Sequence, residues 1–288
     1  MKEVKSFEEK LEYTKELIRC WYEAWDGKVV VSFSGGKDST VLQHIVRSLY
    51  PDVRSMFSNT GLEYPEIVSF VKSFENVDIV RPKKSFNKVI EEYGWPVISK
   101  KVARSLYDLK NPTEKNTNIR NLYLTGMNSK GKEARSFKLA TKWLPLIESP
   151  FKISNKCCDY LKKEPIKKYI KESGLVFFVG TMAEDSYQRR IAANNSTCNL
   201  YDSKNPQSRP LTYWTEEDIW HYIKTFNVPY CSIYDKGEKR TGCTFCMFGI
   251  MFDKERFLRL KINSPIQYDF VVNKLGGKEV LDYLKIPY

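Results

Sequence analysis

The chain has 288 residues, 42% of them hydrophobic and 28% charged, a composition that excludes disordered and fibrous classes. Its longest nearly apolar run, residues 245–252, is too short to span a bilayer, and the opening MKEVKSFEEKLEYTK lacks the apolar stretch of a secretory signal, so a cytoplasmic protein with no membrane partner is expected. The net charge of +12 favours polyanionic partners, nucleotide or nucleic acid, against the plain alternative of a lysine-rich solvated surface.

In chain order, Ser6-Phe7-Glu8-Glu9 is a capping box that opens a helix, whose apolar face of Phe7, Leu11, Ile18, Trp21, Tyr22 and Trp25 runs to Asp26-Gly27. Residues 28–33 are a β-branched run, as in a buried parallel strand. After a glycine turn, Val41, Leu42, Ile45, Val46 and Leu49 recur with helical spacing until Pro51. Strands are expected at 53–57, 77–80 and 175–179, with helices near 65–74 and 164–172. This alternation predicts an α/β fold, a Rossmann-like doubly wound parallel sheet whose ligand lies beyond the carboxyl ends of the strands. The expected divisions are an N-terminal helix (1–27), a nucleotide-binding α/β domain (28–230) and a C-terminal extension (231–288).

Residues 111–143 fit the alternation worst. They carry seven basic residues (Lys115, Arg120, Lys130, Lys132, Arg135, Lys138, Lys142) against Glu114 and Glu133. A basic insertion over the site and a plain solvated loop are the two readings. With Tyr123, Phe137 and Trp143 interleaved, and Lys100, Lys101 and Arg104 in the preceding helix, the insertion is a candidate single-strand nucleic-acid surface.

Ser34-Gly35-Gly36-Lys37-Asp38-Ser39-Thr40 stands between the first strand and its helix. Glycines let a backbone approach a phosphate and turn its N–H groups inward, and the helix start near Asp38 adds its positive dipole end. Ser39 and Thr40 are expected to add hydroxyl donors, and Lys37 to be an exposed loop side chain. The segment is not a Walker A loop, because Val31 stands where that motif has its first glycine and Asp38 follows the lysine.

SGGKDS resembles the PP-loop of the adenine-nucleotide α-hydrolases, which cleave ATP between the α and β phosphates. Ser58-Asn59-Thr60-Gly61-Leu62-Glu63-Tyr64-Pro65-Glu66 is similar to the Asp-Thr-Gly-x-x-(Phe/Tyr)-Pro-Glu segment of the phosphoadenosine phosphosulfate (PAPS) reductase branch, with Asn59 in the Asp place. Gly180-Thr181-Met182-Ala183-Glu184-Asp185-Ser186 with Arg189-Arg190 resembles that branch's later nucleotide-side loop, and residues 210–220 with Pro229-Tyr230 its tryptophan-rich helix. The resemblance implies nucleotide contacts from residues 34–40 and from Asn59, Thr60, Gly61, Gly180 and Thr181, with Lys37, Asp38, Arg189 and Arg190 as catalytic groups.

Cys157-Cys158 and Cys243-Thr244-Phe245-Cys246 form an all-thiolate set in a chain with only two histidines, His44 and His221, neither at ligand spacing. One tetrahedral zinc normally collects two Cys-x2-Cys pairs, whereas an iron–sulfur cube offers each thiolate its own iron corner, so adjacent cysteines can both ligate. Adenylyl-sulfate (APS) reductases of the same family carry a matching Cys-Cys…Cys-x2-Cys set that holds a [4Fe–4S] cluster, which assigns Cys157, Cys158, Cys243 and Cys246 by resemblance. Four thiols without metal is the plain alternative. Cys20, Cys198 and Cys231 are read as small hydrophobes, although Cys198 or Cys231 could carry a persulfide.

The branch's reductases attack sulfur with a cysteine of a Glu-Cys-Gly-Leu-His element and tend to have a degenerate loop. Here no cysteine follows Cys246, and SGGKDS is intact. The expected function is therefore an ATP pyrophosphatase, using ATP, Mg²⁺ and a [4Fe–4S] cluster, that adenylates an acceptor for sulfur transfer. DNA phosphorothioation and tRNA thiolation are the types considered, with a sulfur donor such as a cysteine desulfurase and a second copy of the chain as further partners. The alternatives are an APS or PAPS reductase, and a regulatory module that binds nucleotide without chemistry.

Overall fold

A computed structural model describes residues 6–288. The first five residues of the expected N-terminal segment lie outside them. Two compact units are drawn from interleaved pieces of chain: the first from residues up to Asn59, Glu63–Arg81 and Pro165–Thr241, the second from Thr60–Leu62, Pro82–Glu164 and Gly242–Tyr288. The division thus departs from the consecutive blocks expected, since residues 231–241 pack with the first unit and 111–143 with the second.

The first unit is built on a six-stranded sheet. Its strands are β1 (Val29–Ser32), β2 (Ser55–Ser58) and β3 (Val77–Val80), and after β4 (Val97–Ile98) of the second unit, β5 (Val176–Val179), β6 (Asn199–Leu200) and β7 (Gln207–Ser208). Their order is β3-β2-β1-β5-β7-β6, parallel throughout except where β6 meets β7. The chain leaves β1 toward β2 and β3, then returns to place β5 on the other side of β1, with Val31 beside Phe178. A doubly wound sheet opens its crevice at such a reversal. Alternation along each strand covers both faces. Val29, Val31 and Phe178 join Ile18, Trp21, Val41, Leu42, Ile45, Trp214 and Ile219 on one side. Val30 and Phe177 meet Ile166, Tyr169 and Ile170 of helix Glu164–Ser173 on the other. The fold class is the one the sequence pattern predicts.

Helix α1 (Phe7–Ala24) starts at the expected capping box, with the Glu9 N–H donating to Ser6 Oγ at 3.2 Å and the Ser6 N–H to Glu9 Oε2 at 2.9 Å. Its one buried hydroxyl relay is satisfied: Trp214 Nε1–H donates to Thr14 Oγ1 at 2.9 Å, which donates to the Pro210 carbonyl at 3.1 Å. Helix α2 (Lys37–Leu49) and helix α3 (Pro65–Lys72) follow β1 and β2 as expected.

The second unit is mainly helical around the short parallel pair of β4 with β8 (Met247–Phe248). Residues 111–143 are not a structureless loop. They hold a helix, Thr117–Thr125, and a bridge between Met127 and Glu133. Asn and Thr mask the helix's weak apolar pattern, and Tyr123 is the residue that buries it. No helix among the described residues is long and apolar enough to cross a membrane.

Candidate functional site

The glycine loop sits at the carboxyl end of β1, and its first helical residue is Lys37. Gly35 takes φ +72°, and a Cβ there would lie 2.9 Å from a Val71 methyl, so the turn needs glycine twice over. Gly180, just past β5, closes against the loop, since a Cβ at that position would lie 3.2 Å from the Asp38 carbonyl oxygen. The crevice between β1 and β5 therefore brings together residues 34–40 and Gly180.

Two expectations about this loop are corrected. Ser39 and Thr40 do not present free donors: Ser39 Oγ–H donates to the Gly36 carbonyl at 2.9 Å and Thr40 Oγ1–H to the same oxygen at 3.0 Å. The Ser34 N–H in turn donates to Ser39 Oγ at 3.1 Å, so these hydroxyls brace the turn. Nor is Lys37 an exposed side chain. It is 6% exposed, with Nζ 3.5 Å from Asp38 Oδ1 and 3.3 Å from Glu216 Oε1. Burial works against its ammonium, but Asp38, Tyr234 and Glu216 outweigh it and hold its pKa above the ordinary lysine value. Burial, aided by Asp185 and Glu216, lifts the Asp38 carboxyl above the ordinary aspartate value despite Lys37. Asp38 Oδ1 is buried and makes no hydrogen bond.

Glu216 escaped the sequence reading, although its position is set by a legible signal. It is the first residue of helix Glu216–Thr225, whose capping box pairs the Thr215 side chain with Asp218. Tyr234 had no such signal. Arg189 and Arg190 lie exposed on helix Tyr187–Asn195, with Arg189 paired to Asp185. Thr181 is half-buried beside Gly180, and Asn59 is buried with its N–H donating to the Val80 carbonyl at 2.9 Å. Thr60 and Gly61 belong to the second unit. His44 bonds the Tyr222 hydroxyl at 2.8 Å and packs beside that ring, a structural role.

In the second unit, Cys157, Cys158, Cys243 and Cys246 line one recess with Leu62, Phe86, Pro96, Leu161, Lys162 and Phe245. Local backbone explains the convergence. The Cys246 N–H donates to the Cys243 carbonyl at 3.0 Å, closing the Cys-x2-Cys turn, and Arg256 holds the far end through the Cys246 and Phe248 carbonyls at 2.5 and 3.2 Å. Thr244 anchors the turn to the Leu62 carbonyl by its N–H at 2.8 Å and its hydroxyl at 2.9 Å. Thr60 Oγ1 lies 3.8 Å from Cys243 Sγ. Cys157 and Cys158 open a short helical turn, Lys156–Cys158.

The thiols feel one another. A hydrogen bond within the adjacent pair pushes Cys157 up and Cys158 down. Cys158 falls to about 6, with Lys100, Lys162 and Lys163 helping against its burial. Burial and the neighbouring Cys243 raise Cys246 to about 11. Among the described residues no three metal-ligating side chains are gathered as a single ion would gather them. Four thiols that line one recess have the chemistry a multi-iron cluster needs, since it offers each thiolate its own corner. Of the remaining cysteines, Cys198 and Cys231 are buried like small hydrophobes and Cys20 is exposed.

The basic residues of 111–143 are placed for solvent. Lys130, Lys132, Arg135, Lys138 and Lys142 are exposed, as is Phe137. Tyr123, expected as a stacking platform, is instead 5% exposed and belongs to the core of its unit.

An uncharacterized protein of Methanocaldococcus jannaschii is 27% identical over 237 residues, 80% of this chain but 38% of its own length, so the chain spans well under half of that relative. An adenosine 5′-phosphosulfate reductase of Staphylococcus haemolyticus is 24% identical over 241 residues, covering 83% of this chain and 78% of the relative. Among solved structures, the PAPS reductase of Candida auris aligns over 80% of this chain and 87% of its own, at 17% identity and a TM-score of 0.45. The model of the phosphoadenosine phosphosulfate reductase domain matches residues 28–103 and 97–248, a span that takes in the glycine loop, the Gly180 turn and all four recess cysteines. The chain belongs to that family.

Proposed function

We propose that the protein is an ATP pyrophosphatase that adenylates an acceptor, with nucleic acid as that acceptor, for iron–sulfur-dependent sulfur transfer. The observation that carries this reading is the intact loop: a complete SGGKDST turn that puts a lysine and backbone N–H groups at the start of a 13-residue helix, where a pyrophosphate group is favoured.

ATP lies with its β and γ phosphates on the loop. Lys37 exchanges its carboxylate partners for phosphate oxygens, and the Asp38 carboxylate, with its unbonded buried oxygen, would hold a Mg²⁺ that neutralises phosphate charge. Arg189 and Arg190 neutralise charge that develops on the leaving group. An acceptor oxygen attacks the α-phosphorus, pyrophosphate leaves, and a sulfur nucleophile then displaces AMP from the acceptor. Positioning and charge neutralisation do most of this work. Cys157, Cys158, Cys243 and Cys246 would hold a [4Fe–4S] cluster, which supplies iron able to bind sulfur. A sulfur donor, such as a cysteine desulfurase, with a dithiol that reduces its persulfide sulfur to sulfide, completes the reaction.

The relatives named adenosine 5′-phosphosulfate reductase favour a second reading, reduction of a sulfonucleotide. One experiment separates the two. Protein purified anaerobically is given Mg²⁺-ATP, a single-stranded oligonucleotide and a sulfur donor, and in parallel adenosine phosphosulfate with a dithiol. Pyrophosphate and AMP in the first mixture support adenylation, and sulfite in the second supports reduction. Orthophosphate without pyrophosphate overturns the ATP reading, and neither product leaves a nucleotide-binding module.

A further inference from the structure

The start of α2 at the glycine loop is covered by side chains from elsewhere in the first unit. The Lys37 N–H, at the start of α2, donates to the Tyr234 hydroxyl at 2.8 Å, although no side chain of the loop itself caps that helix. Burial raises the Tyr234 phenol, and the Lys37 N–H and the nearby Thr241 hydroxyl act against that rise. A Cβ on Gly36 would lie 2.5 Å from Thr241 Oγ1 and 3.4 Å from the Tyr234 oxygen, so both hydroxyls press on the backbone that a phosphate would approach. Lys37 Nζ stands 5.6 Å from the centre of the Tyr234 ring. An oxygen that accepts from a first-turn N–H, beside a lysine, has the surroundings of a phosphate oxygen at a helix N-terminus.

The segment that brings these hydroxyls is seated on Ile233, which is fully buried, and is held by side-chain contacts to α3 and to Trp220. Tyr64 donates to Glu238 at 3.1 Å, Lys236 pairs with Glu66, and Trp220 meets Tyr230 and Tyr234 edge-on at 5.3 and 5.6 Å. Gly237 takes φ +84°. Directly after Thr241 come Gly242, whose Cβ position is open space, and Cys243 of the recess.

We propose that residues 229–241 are a strap that closes the cradle in the nucleotide-free protein, with Tyr234 standing in for a phosphate oxygen. A ligand bearing a pyrophosphate group displaces it and so loosens the Cys243–Cys246 turn into which the strap runs. One N–H cannot serve both oxygens fully, so binding is an exchange. The inference rests on the reading of residues 34–40 as the phosphate site.

Hydrogen–deuterium exchange on the full chain, with and without inorganic pyrophosphate and Mg²⁺, tests it. Pyrophosphate is expected to protect amides 37–40 and to speed exchange severalfold across 232–246. Tyr234→Phe is expected to bind pyrophosphate roughly fivefold more tightly, the worth of one competing hydrogen bond, and to exchange quickly over 232–246 without ligand. Protection at 37–40 with 232–246 unchanged or slowed overturns the strap and leaves the loop reading intact. Weaker pyrophosphate binding by Tyr234→Phe makes the hydroxyl a ligand and also overturns it. No binding and no protection in either protein defeats the loop reading, and the strap with it.

Discussion

The glycine loop and the cysteine recess meet opposite charges in opposite ways. At the loop, a lysine suited to an anion is already enclosed by Asp38 and Glu216, and a first-turn N–H is already taken by Tyr234. At the recess, thiols suited to a cationic centre are set among lysines, and Cys158 is brought to about 6 by its Cys157 hydrogen bond and by Lys100, Lys162 and Lys163. The first site is neutralised and waits for an exchange of partners. The second holds a thiol, Cys158, whose ionisation is favoured, beside apolar walls of Leu62, Phe86 and Phe245. On the proposed reading, anion affinity at the loop would be set by what must be displaced, and cation affinity at the recess by what is already prepared.

The largest expected effect breaks the recess. Replacing Cys157, Cys158, Cys243 or Cys246 singly by Ser is expected to remove most of the iron and sulfide from anaerobically purified protein, together with sulfur transfer. Cys198→Ser, outside the recess, should keep both. Stoichiometric zinc without sulfide in the wild type, or full iron in Cys243→Ser, would remove the contrast between the two sites.

The next effect tests neutralisation at the loop. Lys37→Met keeps the buried stem but not the charge, and pyrophosphate release is expected to fall by about 100-fold. The Asp38 carboxylate then sits half-buried without its lysine, so the variant should also lose about 1–2 kcal/mol of stability at neutral pH. Adding Asp38→Asn should return that stability, read by urea titration, without returning activity. A Lys37→Met protein as stable as wild type would show that the pair is not a unit.

The loop was legible in the sequence because its chemistry is contiguous: strand, glycines, lysine and helix start follow one another, and the β-branched run of β1 fixes where they fall. Partners from elsewhere were not. Glu216 reaches Lys37 only because β5 and helix Glu216–Thr225 return beside β1, and Tyr234 arrives on a segment with no regular period. The recess was half legible. Cysteine spacing named the set, but the lysines and Arg256 that tune and brace it are scattered over the chain. Residues 111–143 misled because Asn and Thr hide the turn of helix that buries Tyr123.

A smaller effect concerns that segment. If its exposed cations track an acceptor strand, replacing Lys130, Lys132 and Arg135 by Ser should weaken single-strand oligonucleotide binding roughly tenfold and flatten its salt dependence by about 2 in log–log slope. Pyrophosphate affinity should stay as it was. Unchanged oligonucleotide binding in the triple variant would leave the lysine-rich surface as a solvated face.

The smallest effect lies at the helix start that delivers Glu216. Burial acts against the Asp218 carboxylate, but the Lys10 ammonium at 2.6 Å and the Thr215 N–H at 2.7 Å hold its pKa below the ordinary value of 3.8. A carboxylate depressed in the folded state binds fewer protons there than in the unfolded chain. Its contribution is thus fully present above the unfolded value and lost as pH falls through the folded one. Asp218→Asn keeps an acceptor for the helix N–H but gives up the charge, so the expected loss is about 1 kcal/mol at pH 7, or roughly 2 °C in Tm for a chain of this size. At pH 2 the two proteins should melt together. A gap that stays the same at both pH values would assign the loss to packing rather than to the carboxylate, and the loop's counter-charges would not depend on the ion pair that holds this helix to α1.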